Sequence, residues 1–318
     1  MKAAVVDDFS QPPRFADFDA PAARPGEHLV RVRAAALSQL VRAQASGRHY
    51  SSRSTPVIPG VDGIGRLDDG RRVYFAFPRV PFGAMAEVTV VSAENCIPVP
   101  EEVDDVTAAA IANPGMSSWA ALTERAHMQP GETVLINGAT GASGRLAIGI
   151  ARHLGAGKVI ATGRNADRIK GLEALGADVS IPLDQSPEDL KATFRDVLHG
   201  HGVDIVLDYL WGPPAECLLA ATSGHGGREA EPRIRFVQIG SSAGPVINFP
   251  GAVLRSSGLE LMGSGLGSVS HDGLLKAVSG VFHAVGSAGL AIATEAVPLA
   301  QVQDAWNRTS RNRLVFTI

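Results

Sequence analysis

The feature that most constrains the fold of this chain is a glycine-rich turn between an apolar strand and a helix. Residues 133–137 (TVLIN) predict a buried strand, residues 138–144 (GATGASG) form the turn, and a helical pattern starts within it. A strand that runs directly into such a turn and then into a helix is the setting of the G-x-G-x-x-G fingerprint of dinucleotide-binding folds. The pattern here is A-x-G-x-x-G, because Ala139 stands at the first glycine position.

Each later position of this turn has an expected role. We expect Gly141 to let the main chain approach a pyrophosphate, and Gly144 to let the helix pack closely on the strand. The main-chain N–H groups of Ala142 and Ser143 should face the phosphates at the positive end of the helix dipole. A tight strand-to-helix turn without a ligand is the alternative for this segment.

Residues 132–263 alternate between buried strands, turns and amphipathic helices, which predicts a parallel sheet. Ser186 supplies an N-cap for one of the helices, followed by a proline and two acidic residues that suit its first turn. Six strands are the number found in a complete dinucleotide-binding fold. The predicted strands are 133–137, 158–162, 179–182, 204–208, 234–239 and 259–263, and the predicted helices between them include 142–154, 166–175 and 187–198.

The residues after the second of these strands predict which nucleotide is bound. An acidic residue about 20 positions beyond the turn holds the ribose hydroxyls of NAD, whereas a basic residue accommodates the 2′-phosphate of NADP. Arg164 stands at that distance from Gly144, residues 162–165 contain no carboxylate, and Arg168 follows one helical turn later. We therefore expect NADP(H) as the cofactor. A solvated surface arginine is the alternative, since the chain has five Lys among its 29 basic residues.

The rest of the chain has a different pattern. A length of 318 residues suggests about two domains, and short alternating apolar runs before residue 92 predict a mainly β domain. Residues 101–126 predict a helical bridge that is interrupted at Asn113-Pro114-Gly115. The other predicted elements are strands at 28–34, 71–77, 84–91 and 314–318, and helices at 273–285 and 302–308.

Composition and charge exclude several classes of protein. Hydrophobic residues make up 45% of the chain and charged residues 19%, which excludes a disordered chain and a coiled coil. The net charge is −3, with no block of Lys or Arg to bind nucleic acid or an anionic membrane. We therefore expect a small-molecule partner, with no nucleic acid and no membrane.

The sequence favours a cytoplasmic protein. Residues 1–8 carry two aspartates where a secretory signal needs an apolar stretch. The longest uncharged stretches, 237–254 and 277–294, are too polar to cross a membrane. Cys96 and Cys217 are far from the cysteine density of a secreted disulfide scaffold, so a reducing compartment is expected.

Five segments, in order along the chain, carry a family resemblance. They are Pro59–Gly65, similar to a P-G-x-[ED]-x-x-G strand entry; Gly83–Glu87, similar to G-x-x-A-E; 138–144, similar to G-A-x-G-x-x-G; Asp204–Asp208, similar to D-x-V-x-D; and Gly240–Gly244, similar to G-x-x-x-G. Over nearly its whole length the chain resembles the zinc-independent branch of the medium-chain dehydrogenase/reductases, typified by NADPH:quinone oxidoreductases.

This resemblance implies an α/β protein, with a Rossmann doubly wound parallel sheet plus a GroES-like, mainly β catalytic domain. The GroES-like domain would comprise residues 1–117 and 268–318, and the dinucleotide-binding domain residues 118–267. The resemblance also implies a homodimer formed through the edge strand near 259–263.

The resemblance further implies a set of site residues. Gly240, Ser241 and Ser242 would lie beside the nicotinamide. Zinc-dependent relatives carry a Cys ligand and a His ligand where Ser38 and Val61 stand here, and two cysteines cannot form a four-Cys structural lobe. We therefore predict no functional metal.

The expected reaction is NADPH-dependent reduction of quinones or activated carbonyl compounds. Without a Lewis-acid metal, an enone or quinone accepts hydride more readily than a simple ketone, because its charge spreads onto oxygen. Ser38 and Tyr50 are candidates to stabilise that oxygen, and His49 is a candidate proton donor. Related quinone reductases commonly carry Asn where Ser38 stands and Tyr where Ala43 stands, so a purely structural role for the three candidates stays open. The pair His199 and His201 has no third ligand nearby in sequence and is expected on a surface loop.

Two other functions stay open at this point. Gly240–Gly244 also satisfies the G-x-S-x-G nucleophile elbow around Ser242, with Glu260 and His271 or His283 downstream. Pro245 and Pro250 argue against the helix that such an elbow needs. The second alternative is a non-catalytic, NADPH-binding structural protein of crystallin type.

Overall fold

The computed structural model describes residues 1–49, 51–52, 54–224 and 230–318. The chain divides into a first unit, Met1–Asn113 with Ala291–Ile318, and a second unit, Pro114–Leu290. Within the described residues the strands are β1 Lys2–Val5, β2 Arg14–Asp17, β3 Glu27–Ala36, β4 Asp62–Leu67, β5 Arg72–Ala76, β6 Val88–Ser92, β7 Cys96–Pro98, β8 Thr133–Asn137, β9 Lys158–Gly163, β10 Val179–Pro182, β11 Ile205–Asp208, β12 Arg233–Gln238, β13 Gly258–Gly263, β14 Thr294–Pro298 and β15 Arg313–Thr317. The α-helices are α1 Gln39–Ala45, α2 Asp105–Ala120, α3 Ala142–His153, α4 Ala166–Lys170, α5 Pro187–His201, α6 Gly212–Ala221, α7 Gly251–Arg255, α8 His271–Ala284 and α9 Val302–Trp306.

In its described part, the second unit contains a six-stranded sheet in which every pair is parallel. The order is β10-β9-β8-β11-β12-β13, which is 3-2-1-4-5-6 when the strands are numbered along the chain. This is the order of a doubly wound dinucleotide-binding fold, and it reverses direction between β8 and β11. Apolar strand residues such as Leu135, Val206 and Phe236 pack with Phe194 and Leu218 of the helices. The prediction of a parallel sheet is confirmed, and all six strands lie within one residue of the expected bounds.

The first unit is mainly β, as predicted. Its larger sheet has the order β14-β15-β3-β4-β5-β7, and β6 also pairs with β3. The β14–β15 pair is parallel, the other pairs are antiparallel, and β1 and β2 form a separate antiparallel ribbon. Val32, Phe75, Met85, Trp306 and Phe316 are among the residues of its core.

The boundary of the second unit lies further along the chain than the resemblance implied. Residues 268–290, including α8, belong to the second unit, where α8 packs against its first residues. A Cβ on Gly280 would lie 2.5 Å from the Trp119 side chain, and one on Gly115 would lie 2.8 Å from Val281. Glycine therefore permits the close helix contact that keeps α8 in this unit.

The expected interruption of the helical bridge is wrong. α2 runs through Pro114 without a break, and one π-helical turn, Ala121–Arg125, follows it. Residues 108–112 are buried, so packing stabilises the helix despite the N–H that Pro114 lacks. α4 is shorter than expected, ending at Lys170. No helix in the described chain has both the length and the apolar character to cross a membrane.

Candidate active site

The glycine turn lies at the carboxyl end of β8 and leads directly into α3. Gly138 has a φ of +96°, in the left-handed region that favours glycine. Gly141 precedes the first residue of α3 in an extended conformation, with φ −79° and ψ 170°. The structure therefore has the strand, turn and helix that the fingerprint predicts.

Packing within the protein requires glycine at Gly144 but not at Gly141. A Cβ on Gly144 would lie 2.5 Å from the Gly138 carbonyl oxygen and 2.6 Å from the Ala139 Cα, so the packing of α3 on the turn requires glycine. At Gly141 the φ suits any residue, and among the described atoms only the Gly138 carbonyl oxygen, at 3.7 Å, would lie within 4 Å of a Cβ. The protein's own packing gives no reason for glycine at 141. Open space over the main chain is what the close approach of a pyrophosphate requires.

The first turn of α3 begins at this open space without a side-chain cap. α3 has 12 residues, Gly141 has no side chain to cap it, and Ala142 and Ser143 are partly exposed. The first N–H groups of a helix have no partner within the helix, and the helix dipole makes this end positive. The turn therefore fits the phosphates of a dinucleotide.

Arg164 follows β9, the strand next to β8, and its side chain is exposed. The neighbouring Asn165 starts α4, where its side chain accepts a hydrogen bond from the Arg168 N–H at 3.0 Å. Arg168 is also exposed. The two arginines thus lie at the carboxyl edge of the sheet, at the strand whose end determines recognition of the ribose in this fold.

The loop after β12 is tied to the segment after β11. The Gly240 N–H donates to the Asp208 carbonyl at 3.1 Å, and the Ser242 hydroxyl donates to the Tyr209 carbonyl at 2.9 Å. Ser241 and Ser242 are exposed. Because parallel strands end at one edge of the sheet, the structure brings Gly240, Ser241 and Ser242 to the same edge as the glycine turn.

Comparison with known proteins is consistent with this geometry. A family model described as "Zinc-binding dehydrogenase" matches residues 142–279. The chain is 28% identical, over 96% of both sequences, to the protein named "Probable NADPH-dependent quinone reductase tdiC" of Emericella nidulans. The structure of a quinone oxidoreductase from Thermus thermophilus, also solved as a complex with NADPH, is 26% identical, with a TM-score of 0.80 over 100% of both chains. The chain is thus similar, in sequence and in fold, to NADPH-dependent quinone oxidoreductases of the medium-chain dehydrogenase/reductase type.

A further relative is named for a different activity. The "2-haloacrylate reductase" of a Burkholderia species is 32% identical over 186 residues, which are 55% of this chain and 54% of that protein. The fold matches that of solved quinone oxidoreductases, with a Rossmann sheet in the second unit and a GroES-like, mainly β fold in the first unit.

The candidate catalytic residues belong to the first unit. Ser38 is buried and caps α1, where its Oγ accepts a hydrogen bond from the Val41 N–H at 3.1 Å. The sequence pattern indicated a hydroxyl at this position but not its role as a helix cap. Tyr50 lies outside the described residues.

His49 lies in the turn that follows α1 and is partly buried. Its Nδ1 lies 2.7 Å from the Ser51 hydroxyl and accepts from the Ser51 N–H at 3.2 Å. The Ser51 hydroxyl in turn accepts from the Gln44 side chain. Burial lowers the pKa of His49, so its neutral form is favoured, and the donors at Nδ1 leave its proton on Nε2.

The residues available for a metal differ from those of zinc-dependent relatives. In the described part of the chain, no group of three His, Cys, Asp or Glu side chains is arranged to hold a metal ion. His199 is exposed and His201 is partly buried, 3.1 Å from the Lys158 amine. Both lie in the last turn of α5, so the expected loop is wrong.

The hydrolase alternative finds no support. Residues 239–250 form no helix after Ser242, and α7 begins only at Gly251. The Ser242 hydroxyl donates to a main-chain carbonyl, and His283 Nδ1 contacts the Ser279 carbonyl of its own helix at 2.7 Å. A nucleophile elbow needs a strand, a sharp turn and a helix in direct succession.

Three large side chains, Tyr209, Leu210 and Trp211, directly follow β11. Leu210 and Trp211 pack against the core of the second unit. The Tyr209 hydroxyl lies 2.7 Å from Ser118 Oγ, and burial raises the pKa of Tyr209. Core packing therefore accounts for these large side chains.

One group of site residues was not predicted. Asn137, Thr162 and Asp208 are fully buried polar residues at the carboxyl ends of β8, β9 and β11. The signal in the sequence was a polar residue at the end of each apolar strand. Burial raises the pKa of Asp208 to about 6. The hydrogen bonds from Asn137, Leu210 and Trp211 lower the pKa, but burial has the larger effect.

Proposed function

We propose that the protein is an NADPH-dependent oxidoreductase that reduces quinones or α,β-unsaturated carbonyl compounds by hydride transfer without zinc. The observation that carries this proposal is the glycine turn, with open space over Gly141 and with Arg164 at the end of the adjacent strand. The activities for which two relatives are named, quinone reduction and haloacrylate reduction, support the substrate class.

NADP(H) is the cofactor that these residues would hold. The N–H groups of Ala142 and Ser143, with Gly141 and Gly144 shaping the turn, would bind the pyrophosphate. Arg164 and Arg168 would bind the 2′-phosphate, since an arginine pairs with phosphate through charge-assisted hydrogen bonds. Gly240, Ser241 and Ser242 would lie along the nicotinamide half. The bound nicotinamide supplies a hydride to the substrate.

The residues at the positions of zinc ligands favour a conjugated substrate. Ser38 and Val61 replace two ligands of zinc-dependent relatives, and neither is a usual zinc ligand. Without such a metal, the developing charge on the substrate oxygen must be stabilised by conjugation and hydrogen bonds. A quinone or an enone meets this requirement, whereas a saturated ketone does not.

Ser38 and His49 are the described candidates to bind the substrate oxygen. Ser38 Oγ accepts the capping hydrogen bond, so its hydroxyl hydrogen can donate. Neutral His49 can donate from Nε2. Tyr50 stays a candidate on the sequence argument alone.

We also propose a cytoplasmic homodimer formed through β13. β13 is the last strand in the order of its sheet, and Leu261 on it is 38% exposed. An unpaired strand edge can pair with a second copy of itself. The structure offers no observation that favours the crystallin-type alternative.

The test is NADPH oxidation by the purified protein with a quinone, an enone and a saturated ketone of similar size. We expect turnover with the first two and much slower turnover with the third.

A second test concerns the 2′-phosphate. Arg164→Ala should weaken NADPH binding about 10- to 150-fold with little effect on NADH, because a charge-assisted hydrogen bond contributes about 1.5 to 3 kcal/mol to binding. Lys170→Ala, which removes an exposed charge at the end of α4, is the matched control. Equal turnover of all three substrates, or zinc that a chelator removes together with activity, would contradict the proposal.

A further inference from the structure

A chain of buried hydrogen bonds connects Asp208 to the glycine turn. The Asn137 amide nitrogen donates to Asp208 Oδ1 at 2.8 Å, and the Thr162 hydroxyl donates to Asn137 Oδ1 at 2.8 Å. The Gly138 N–H then donates to Thr162 Oγ1 at 3.0 Å. The three side chains are fully buried, so water does not replace these partners.

The direction of every bond in this chain depends on the charge of Asp208. An ionised carboxylate only accepts, so the Asn137 amide must turn its nitrogen towards Asp208 and its oxygen towards Thr162. That oxygen takes the hydroxyl hydrogen of Thr162, and the Thr162 lone pair is left to accept from Gly138. The orientation of the first residue of the turn is therefore set at Asp208, two strands from Thr162.

Asp208 also makes hydrogen bonds to the residues that follow it and to the loop after β12. Its carboxylate accepts from the Leu210 N–H at 3.2 Å and the Trp211 N–H at 3.0 Å. Trp211 has a φ of +53°, a strained conformation for a large residue that these bonds help to hold. The Asp208 carbonyl accepts from the N–H groups of Ile239 and Gly240. One residue thus joins the glycine turn to the loop around Ser242.

We propose that Asp208, as a carboxylate, is a positioning residue for the dinucleotide site, and that dinucleotide affinity is lost when Asp208 is protonated. This inference rests on the proposed function, since it assumes that the edge of the sheet binds NADP(H). A proton on Asp208 adds a donor hydrogen to a carboxyl whose three partners are all N–H donors, so that hydrogen finds no acceptor among them and the three bonds are weakened.

The protonation falls in an accessible pH range. Burial raises the pKa of Asp208 to about 6, opposed by its three donors, and no charged side chain of the described part contributes to the shift. The adjacent titratable group, Tyr209, directs its hydroxyl to Ser118. If binding requires the carboxylate, affinity falls as the pH falls through about 6 and is constant well above it.

The experiment measures the dissociation constants of NADP⁺ and NAD⁺ by calorimetry between about pH 5 and about pH 8. NAD⁺ is necessary because the 2′-phosphate of NADP⁺ titrates near the same pH. For the wild-type protein we expect both constants to rise about tenfold from neutral pH to about pH 5, as protonation removes the competent form. Asp208→Asn should bind both about tenfold more weakly at neutral pH, with no slope for NAD⁺.

Two further variants keep the test decisive if Asp208→Asn does not fold. Thr162→Val removes the hydroxyl that links Asn137 to Gly138, and we expect weaker binding of both dinucleotides. Thr162→Ser keeps the hydroxyl and should restore most of the affinity. Asp204→Asn is the matched control, because Asp204 accepts a main-chain N–H, that of Thr133 at 2.8 Å, just before β11 begins. It should leave both the affinity and the slope unchanged.

The possible failures are distinguishable. If the wild-type protein binds neither dinucleotide, the proposed function fails. If it binds both, but NAD⁺ binding has no pH slope or Asp208→Asn matches the wild type, only the inference about Asp208 is overturned. An equal effect of Asp204→Asn, or equal affinities of Thr162→Val and Thr162→Ser, would also overturn it.

Discussion

Each unit contains a buried aspartate, and the two are satisfied in different ways. In the second unit, Asp208 accepts three hydrogen bonds from neutral donors at the ends of neighbouring strands and in the adjoining loop. In the first unit, Asp62 accepts from the Tyr74 hydroxyl at 3.1 Å, and the positive charge of Arg313 lowers its pKa. Burial outweighs these effects in both cases and raises the pKa of each carboxyl to about 6.

The difference separates two ways of satisfying a buried carboxylate. In the second unit, two of the three donors to Asp208 are main-chain N–H groups within three residues of it, and the third is the neutral side chain of Asn137 on a neighbouring strand. The first unit relies on side chains whose partners come from distant parts of the sequence, since Arg313 lies on β15 and Asp62 on β4. Burial also lowers the pKa of Arg313, so this pair is a balance between desolvation and attraction.

The largest expected effect tests the main-chain site. Gly144→Ala should destabilise the protein by about 3 kcal/mol, because its Cβ would lie 2.5 Å from a main-chain oxygen that cannot move freely. Gly141→Ala should leave the melting temperature unchanged and weaken NADPH binding at least tenfold. Thermal denaturation and NADPH titration of both variants check this. Wild-type NADPH affinity in Gly141→Ala would show that no ligand approaches the main chain there.

The second-largest expected effect tests the pair formed by Asp62 and Arg313. Arg313→Met should destabilise the protein by about 2 kcal/mol at neutral pH, because Asp62 is left buried without its countercharge. The folded-state pKa of Asp62, about 6, is above its unfolded value, so its contribution is most favourable below about pH 4 and is lost as the pH rises through about 6. The destabilisation in Arg313→Met should therefore be larger at pH 8 than at pH 5, as denaturant unfolding at both pH values can measure.

The double variant Asp62→Asn/Arg313→Met is the control for this prediction. It removes both charges, so it should be more stable than Arg313→Met at neutral pH and show no difference between the two pH values. Additive effects of the two substitutions would mean that Asp62 and Arg313 do not interact, and the contrast with Asp208 would fail.

The smallest effect on stability tests Ser38, whose hydroxyl has two proposed uses. Ser38→Ala should cost about 1 kcal/mol through loss of the α1 cap, whereas Ser38→Gly should cost only a few tenths. If the hydroxyl also donates to the substrate oxygen, both variants should lose about 100-fold or more in kcat, and Ser38→Thr should retain activity. A Ser38→Gly variant with full activity would restrict Ser38 to its capping role.

Much of the second unit could be predicted from the sequence. Its strands are apolar runs bounded by turn residues, and the A-x-G-x-x-G segment has a local geometric cause at Gly138 and Gly144. The carboxyl edge of the sheet then follows from the parallel order. The network of Asn137, Thr162 and Asp208 could not be predicted, because a polar residue at a strand end shows its partner only when the strand order is known.

The sequence by itself therefore determined the strands of the second unit, the turn with its helix, and the position of Arg164, because each depends on neighbours within a few residues. Only the tertiary structure decided that Pro114 stays within a helix, that α8 joins the second unit, that Ser38 caps α1, and that Asp62 and Asp208 are buried with different partners. These outcomes depend on contacts between segments far apart along the chain, where packing and desolvation outweigh local preference.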